Sequence, residues 1–237
     1  LMSRAGFHLS AKNNSGVVTA EFVGCGMPKK NQRKSSVDWS NASTANGLQD
    51  IEDTVVAASA EGVTIRYVVM HVADFSLLKK QKSTFDTLKA WVNSSSKILV
   101  TKNLINEYLA EQEIPVKIIT VNPSVRIEDK AHRRKTINPW ERKRVCFLED
   151  LKVGDIQHGP IAAESSATLQ KIALMVKQDW VLVTKWSELE PFKEWTKAEA
   201  NAIPVVNDPD AMFIMKVDGK DWSASEDTEG TDDIPAT

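Results

Sequence analysis

Cysteine is scarce in this 237-residue chain. Cys25 and Cys146 are its only two, far apart in sequence, and such a pair supplies neither a disulfide framework nor a zinc cluster. The four histidines, His8, His71, His132 and His158, stand singly, none with a second His or Cys at ligand spacing. No apolar run approaches the roughly 20 residues that cross a bilayer, which excludes a membrane-spanning helix. Glycine forms no phosphate-binding arrangement. Gly24-Cys25-Gly26 lacks the third glycine of a dinucleotide fingerprint and reads as a turn, and no Gly-rich loop ending in Lys-Ser/Thr follows a strand. A Gly-x-Ser-x-Gly nucleophile elbow is missing as well. Neither sign of charge dominates: 30 Lys and Arg against 32 Asp and Glu give a net charge of -2, whereas a dedicated DNA-binding domain is clearly basic. Glu149 and Asp150 adjoin a strand end, but neighbours on a strand face opposite ways, so they do not converge on one substrate atom. The chain therefore reads as no enzyme, with no catalytic residue, no metal and no cofactor expected, and as a protein assembled inside a cell.

What the chain does have is an ordinary globular make-up, 42% hydrophobic and 26% charged. Its length suits one large domain or two lobes. Leu1-Met2-Ser3-Arg4-Ala5-Gly6-Phe7 is no signal peptide, because no apolar stretch follows the basic residue. The chain reads as if it began inside a structural pattern, with an N-terminal portion missing. Residues 6–24 predict a β-hairpin: Phe7 and Leu9 on one arm, turn chemistry at Lys12-Asn13-Asn14-Ser15-Gly16, and Val18, Ala20 and Phe22 alternating on the return. A two-stranded hairpin is marginal alone in water, so it is expected to lie against something else. Gly24 to Pro28 breaks the ladder, and Lys29, Lys30, Arg33 and Lys34 form a basic connector.

From Trp39 onward the pattern is mixed. The small polar residues Ser40 to Asn46 suit a helix cap, Leu48, Ile51, Val55 and Ala58 share one helical face, and Gly62 is a natural stop. Strands are predicted at Ile65–Met70, Val116–Val121, Val145–Leu148, Trp180–Val183 and Phe213–Val217. Helices are predicted through Phe75–Leu78, ending near Lys79-Lys80, through Leu104–Leu109, and through Leu169–Val176. A passage with Trp186, Pro191 and Trp195 joins the last two strands. After Lys220 the chain carries six acids and no base, the composition of a disordered tail. Helices and strands without strict alternation indicate the α+β class. Lys130, Arg133, Arg134 and Lys135 form the strongest basic segment, with Arg142, Lys143 and Arg144 after it. Lacking interleaved aromatics for base stacking, it is read first as a solvated or intersubunit loop and second as a DNA contact. Trp39, Trp91, Trp180, Trp186 and Trp195 are read as mostly core, with some at interfaces.

Taken in order, several passages resemble the lambda-like major capsid proteins of tailed phages. They are Phe22-Val23-Gly24-x-Gly26-x-Pro28 and the basic connector, Trp39 and its helix, Tyr67–Met70, Phe75 with Leu77-Leu78, and Arg126-Ile127-Glu128-Asp129. Ile137-Asn138-Pro139, Val145–Leu148, Gly154, Gly159-Pro160, Trp186, Pro191, Ile203-Pro204-Val205 and the last strand follow. The likeness runs over roughly residues 5–218. It implies the Hong Kong 97 capsid fold, with residues 1–38 as the later part of an extended hairpin (the E-loop) and its return. Residues 39–99 would be a peripheral domain with a spine helix at 48–61, residues 100–185 mainly a central axial domain, residues 186–220 a closing segment, and residues 221–237 the acidic tail. The family's N-terminal arm has no counterpart here, and the tail is additional.

Function follows from the resemblance as an expectation. The chain would be a structural virion protein of a tailed phage or prophage, forming pentamers and hexamers of an icosahedral shell around double-stranded DNA. Its partners would be copies of itself, scaffold, decoration and portal proteins, and packaged DNA held non-specifically, with no membrane. It would be assembled in the bacterial host cytoplasm. Asn13, Asn14, Gly16, Lys29, Lys30 and Arg33 are the expected intersubunit contacts, and Lys130, Arg133, Arg134 and Lys135 a DNA-facing or intersubunit loop. Alternatives are a nucleic-acid-binding module built on residues 130–144, a bacterial nanocompartment shell of the same fold, and a hydrolase using scattered acids such as Glu149 or Asp150.

Overall fold

The computed structural model describes residues 6–12, 18–93, 98–114, 116–128, 133–161, 174–189 and 192–222. The chain is mixed α and β and divides into two units, Leu1–Val153 with Asp208–Thr237, and Gly154–Asn207.

The first unit is built on a five-stranded sheet. Its strands are β3 (Gln32–Lys34), β4 (Tyr67–His71), β5 (Lys117–Val121), β8 (Arg144–Leu148) and β14 (Met212–Lys216), in the order β3-β14-β8-β4-β5. β8 runs antiparallel to both β14 and β4, while β3 with β14 and β4 with β5 are parallel. The β-branched and aromatic content of β4, β5 and β8 is what a strand prefers. Period-two alternation then sorts the side chains onto two faces. Val68, Met70, Ile118, Val145, Phe147, Phe213 and Met215 enter one cluster, and Val69, Cys146, Leu148, Met212 and Ile214 enter the other. Both faces are covered, so β8 and β14 are buried along their whole length. Each fully buried Phe or Leu here stabilises the fold by about 1.5–3 kcal/mol.

Helices α1 (Gly47–Ala60), α2 (Val72–Lys80), α3 (Lys82–Trp91) and α4 (Lys102–Glu111) contribute to the first cluster. Asn46 caps α1 by accepting from Gln49 N, and Gly62 ends that turn at φ +81°, a left-handed conformation that suits glycine. Thr101 caps α4 in the same way, accepting from Leu104 N at 3.2 Å. His71 caps α2, its Nδ1 accepting from Ala73 N at 3.0 Å. Trp39 is buried beside them, and its Nε1 donates to Asp50 Oδ2 at 2.9 Å while Ser36 N donates to Oδ1 at 3.0 Å. A buried carboxylate is tolerable on those terms, because hydrogen bonds replace the lost water.

Two further ribbons belong to this unit, each a two-stranded antiparallel sheet. β1 (Gly6–Lys12) pairs with β2 (Val18–Gly24), from Gly6 opposite Gly24 to Lys12 opposite Val18. β6 (Val125–Glu128) pairs with β7 (Arg134–Ile137).

In the second unit, β9 (Gly154–His158) pairs antiparallel with β13 (Ala202–Val206), and β10 (Leu174–Gln178), β11 (Val181–Leu189) and β12 (Phe192–Glu199) form an antiparallel meander. Here the sequence reading needs correction. Of the helix expected through Leu169–Val176, residues 169–173 lie outside the described residues and 174–176 lie in strand β10. Val176 pairs with Val183 across a tight turn at Asp179-Trp180, with Asp179 at φ 51°, so hairpin pairing overrides a local helical period. The passage through Trp186 and Trp195 is two long strands rather than a connector. Trp186 faces Trp195 in register, and the rings stack at 6.4 Å. Helix α3 has no counterpart in the sequence reading, because Gln81 alone separates it from α2, with no Gly or Pro to mark the break.

Candidate assembly surfaces

The connector after β2 turns at Gly26 (φ +80°) and enters a 3-10 turn, Lys29–Asn31, before β3. Asn31 is buried, its Nδ2 donating to the carbonyls of Asp210 and Met212, which fastens the connector to the sheet. Lys29 and Lys30 are exposed, and Lys30 Nζ meets Glu61 of the same chain at 2.5 Å. Arg33 lies in β3, and its carbonyl accepts from Trp222 Nε1 at 2.7 Å. Lys30 thus has a side-chain partner within its own unit, and Arg33 a partner for its backbone carbonyl. Asn13, Asn14 and Gly16, at the expected hairpin tip, lie outside the described residues.

The basic segment is the far arm of a hairpin. Arg134 and Lys135 lie on β7, both exposed, with Arg133 just before it, and Lys130 lies outside the described residues. Arg134 Nε approaches Glu128 Oε2 across the ribbon at 3.7 Å. An exposed pair of that kind contributes at most about 1 kcal/mol. Val125 and Ile127 on β6 are also about half exposed. Neither this hairpin nor β1–β2 joins any other strand among the described residues.

Buried charge in this unit is structural. Asp74 is fully buried and accepts from Arg142 Nη2 at 3.1 Å and Lys143 N at 3.0 Å. Lys143 Nζ reaches Asp38 Oδ2 at 3.1 Å. Burial pushes the Asp38 carboxyl up, but hydrogen bonds from Ser40 and Lys143 outweigh it and hold the pKa below the usual carboxylate value. Burial pushes the Cys146 thiol up to about 12 and raises Cys25 as well. Glu149 and Asp150 are exposed, and Asp150 Oδ1 accepts from Leu151 N and Lys152 N in a turn. Between α1, α3 and α4 a pocket lined by Asn46, Glu52, Tyr108 and Gln112 holds about 60 Å³, room for a few waters and too little for a substrate. Among the described residues no cluster of His, Cys, Asp or Glu is placed to hold a metal ion, and no helix is long and apolar enough to cross a membrane.

The family model for phage major capsid protein E matches residues 3–217. The chain belongs to that family. It is a structural family, of capsid proteins and not of enzymes. No curated protein matches the chain in sequence. Among solved structures, the fold is similar to that of a protein named as a candidate capsid protein of a prophage of E. coli CFT073. That likeness has a TM-score of 0.56 at 14% identity, covering 91% of this chain and 60% of the other. A phage-related protein of Bordetella bronchiseptica RB50 matches with a TM-score of 0.45 at 12% identity, over 81% of this chain and 60% of the other. The chain therefore spans about 60% of the length of these solved relatives.

Two features escaped the sequence reading. Trp222, inside the supposed tail, packs on the sheet with the Arg144 guanidinium 4.3 Å from its ring centre, and Asp221 meets Lys34 at 2.6 Å. Asp221 and Trp222, which composition assigns to the tail, are thus held against the first unit, and residues 223–237 lie outside the described residues. The tryptophans also divide unequally: Trp39 is 1% exposed, Trp195 45% and Trp180 59%. An isolated Trp in sequence carries no signal for which of these it will be.

Proposed function

We propose that this chain is a shell subunit of a tailed phage or prophage, binding copies of itself in pentamers and hexamers of an icosahedral head around double-stranded DNA. The family match over residues 3–217 carries this reading. In it the fold is of the Hong Kong 97 type, β1–β2 is the later part of the E-loop, and α1 is the spine helix. Two ribbons that pair with no other described strand support the reading physically. Such ribbons are marginal alone, and an arm that docks on a neighbour gains its remaining contacts there. A specific interface buries about 1,600 Å² in total, and symmetry repeats each weak contact until the shell closes. Near-zero net charge does not oppose that packing.

Asn13, Asn14, Gly16, Lys29, Lys30 and Arg33 would face the neighbouring subunit. Lys130, Arg133, Arg134 and Lys135 would face a neighbour or the packaged DNA. Scaffold, decoration and portal proteins would be further partners, and assembly would take place in the host cytoplasm. Electron microscopy of the full-length protein, expressed with its neighbouring phage genes, tests this. Rings or closed shells are expected. A monodisperse monomer at high concentration, with no rings or shells under any salt condition, refutes it.

A further inference from the structure

Among the described residues strand β12 (Phe192–Glu199) is the edge of the meander β10-β11-β12, and every residue from Phe192 to Ala198 is exposed. Phe192 is 70% exposed and Trp195 45%. An edge of eight residues presents a row of backbone donors and acceptors, and proteins ordinarily blunt such an edge with Pro, a bulge or unbalanced Lys. β12 has no Pro or Gly, and its charges balance: Lys193 and Lys197 against Glu194 and Glu199. Glu194 is paired back onto β11 through Lys185 at 3.0 Å, and Lys197 with Glu199 along the strand.

We propose that β12 pairs antiparallel with β12 of a second copy, about a two-fold axis at Thr196, joining two three-stranded sheets into one of six strands. The register follows from symmetry. Residues opposed across antiparallel strands point to the same face, and a two-fold normal to the sheet preserves each residue's face. One residue must therefore lie on the axis and oppose itself. With Trp195 on the axis, Lys193 opposes Lys197, and with Lys197 on the axis, that lysine opposes itself. With Thr196 on the axis, Lys193 opposes Glu199, Trp195 opposes Lys197, and the Thr196 side chains meet. Opposite charges and a cation against an aromatic are favourable cross-strand neighbours, and like charges are not. Lys193 already opposes Glu188 within its own sheet, so the pairing places it between two acids. Each Trp195 ring, half-exposed in one copy, gains a neighbour in the other.

This names one surface for the shell reading and rests on it only in requiring that copies meet. The test is disulfide trapping in the full-length chain. Thr196→Cys places two thiols across the axis, where opposed strand positions have Cα atoms within the reach of a disulfide. Under mild oxidation T196C is expected to give a dimer on a non-reducing gel. Wild type and K193C, whose new thiol opposes Glu199, are expected to stay at background. Adding E199K to T196C sets Lys193 against a lysine and lowers the yield, and adding K193E as well restores it. A T196C protein with wild-type circular dichroism that gives no dimer overturns the pairing, as does equal trapping of K193C. Rings or shells seen by microscopy without T196C trapping overturn the pairing and leave the shell reading standing. Trapping without any ring or shell does the reverse.

Discussion

Gly47, the first residue of α1, sits where three buried side chains converge. A Cβ built there would lie 2.5 Å from Leu78 Cδ1, 2.9 Å from Gln81 Oε1 and 3.0 Å from Trp39 Cε2. Leu78, Gln81 and Trp39 are each at most 1% exposed, so none can swing into solvent. Gly47 N also donates to Gln81 Oε1 at 2.7 Å. Two effects of Gly47→Ala therefore oppose one another. Restricting the unfolded chain favours the variant by about 0.4–1 kcal/mol. Overpacking a closed site costs about 1–3 kcal/mol, and disturbing the buried hydrogen bond to Gln81 adds about 1 kcal/mol more. The balance is a net loss of about 1–3 kcal/mol, or several degrees in Tm for a chain of this length. Urea denaturation of wild type and variant, followed by tryptophan fluorescence, measures it. The sharper form is a double-mutant cycle with Leu78→Ala, which removes the nearest clashing atom. In that background G47A should cost less, with the Gln81 and Trp39 contacts still opposing it, and the coupling energy should exceed about 0.5 kcal/mol. G47A as stable as wild type, or a cycle without coupling, would refute the packing argument.

Three other outcomes follow from the same contacts. A Cβ on Gly154 would meet Val205 O at 2.1 Å, so Gly154→Ala should speed hydrogen exchange of the β9 and β13 amides and leave the five-stranded sheet protected. Asp38, whose pKa is depressed by its bonds to Ser40 and Lys143, stabilises the fold above the unfolded carboxylate value of about 3.9 and loses that contribution as pH falls through its lower folded value. The stability difference between wild type and D38N should therefore be constant near neutrality and vanish in strong acid, and a difference that grows on acidification contradicts the assignment. With its thiol pushed up to about 12 and fully buried, Cys146 should resist a thiol reagent at pH 8 until the protein unfolds. Mass spectrometry should find half-buried Cys25 modified first.

The elements most legible in the sequence are those specified by their own residues. Asn46 and Gly62 bracket α1, and the β-branched runs mark β4, β5 and β8. Sheet order is a different matter. β14 lies between β3 and β8 because Phe213 and Met215 find places in one cluster and Met212 and Ile214 in the other, and nothing local in Met212–Lys216 names those neighbours. The second unit was the least legible. Phe192–Glu199 alternates Lys, Glu, Trp and Thr with little apolar content, which reads as a loop until Trp195 is set opposite Trp186. Of the candidate contact residues, Lys30 could be seen to be basic but not to be matched by Glu61, thirty-one positions away.

The second cluster explains how the root of the β1–β2 ribbon is anchored. One face of the five-stranded sheet is covered by helices, whose own amphipathic patterns bury it. The other face is closed by Met27 and Cys25 from the connector, Trp140 from a loop, and Trp222 from the start of the tail. The segment that closes this face on one side is thus the one leading out of β2. Because Asn31 is bonded into the sheet edge through the Asp210 and Met212 carbonyls, the root of the β1–β2 hairpin is fixed by core packing. The hairpin itself pairs with no further described strand. In the shell reading proposed above, that division is what a docking arm would need: a rigid root to set its direction, and a ribbon beyond it whose edges pair with no other described strand. If instead the root were loose, ordering it would consume part of each contact's favourable free energy, and weak contacts repeated by symmetry would no longer suffice to close a shell.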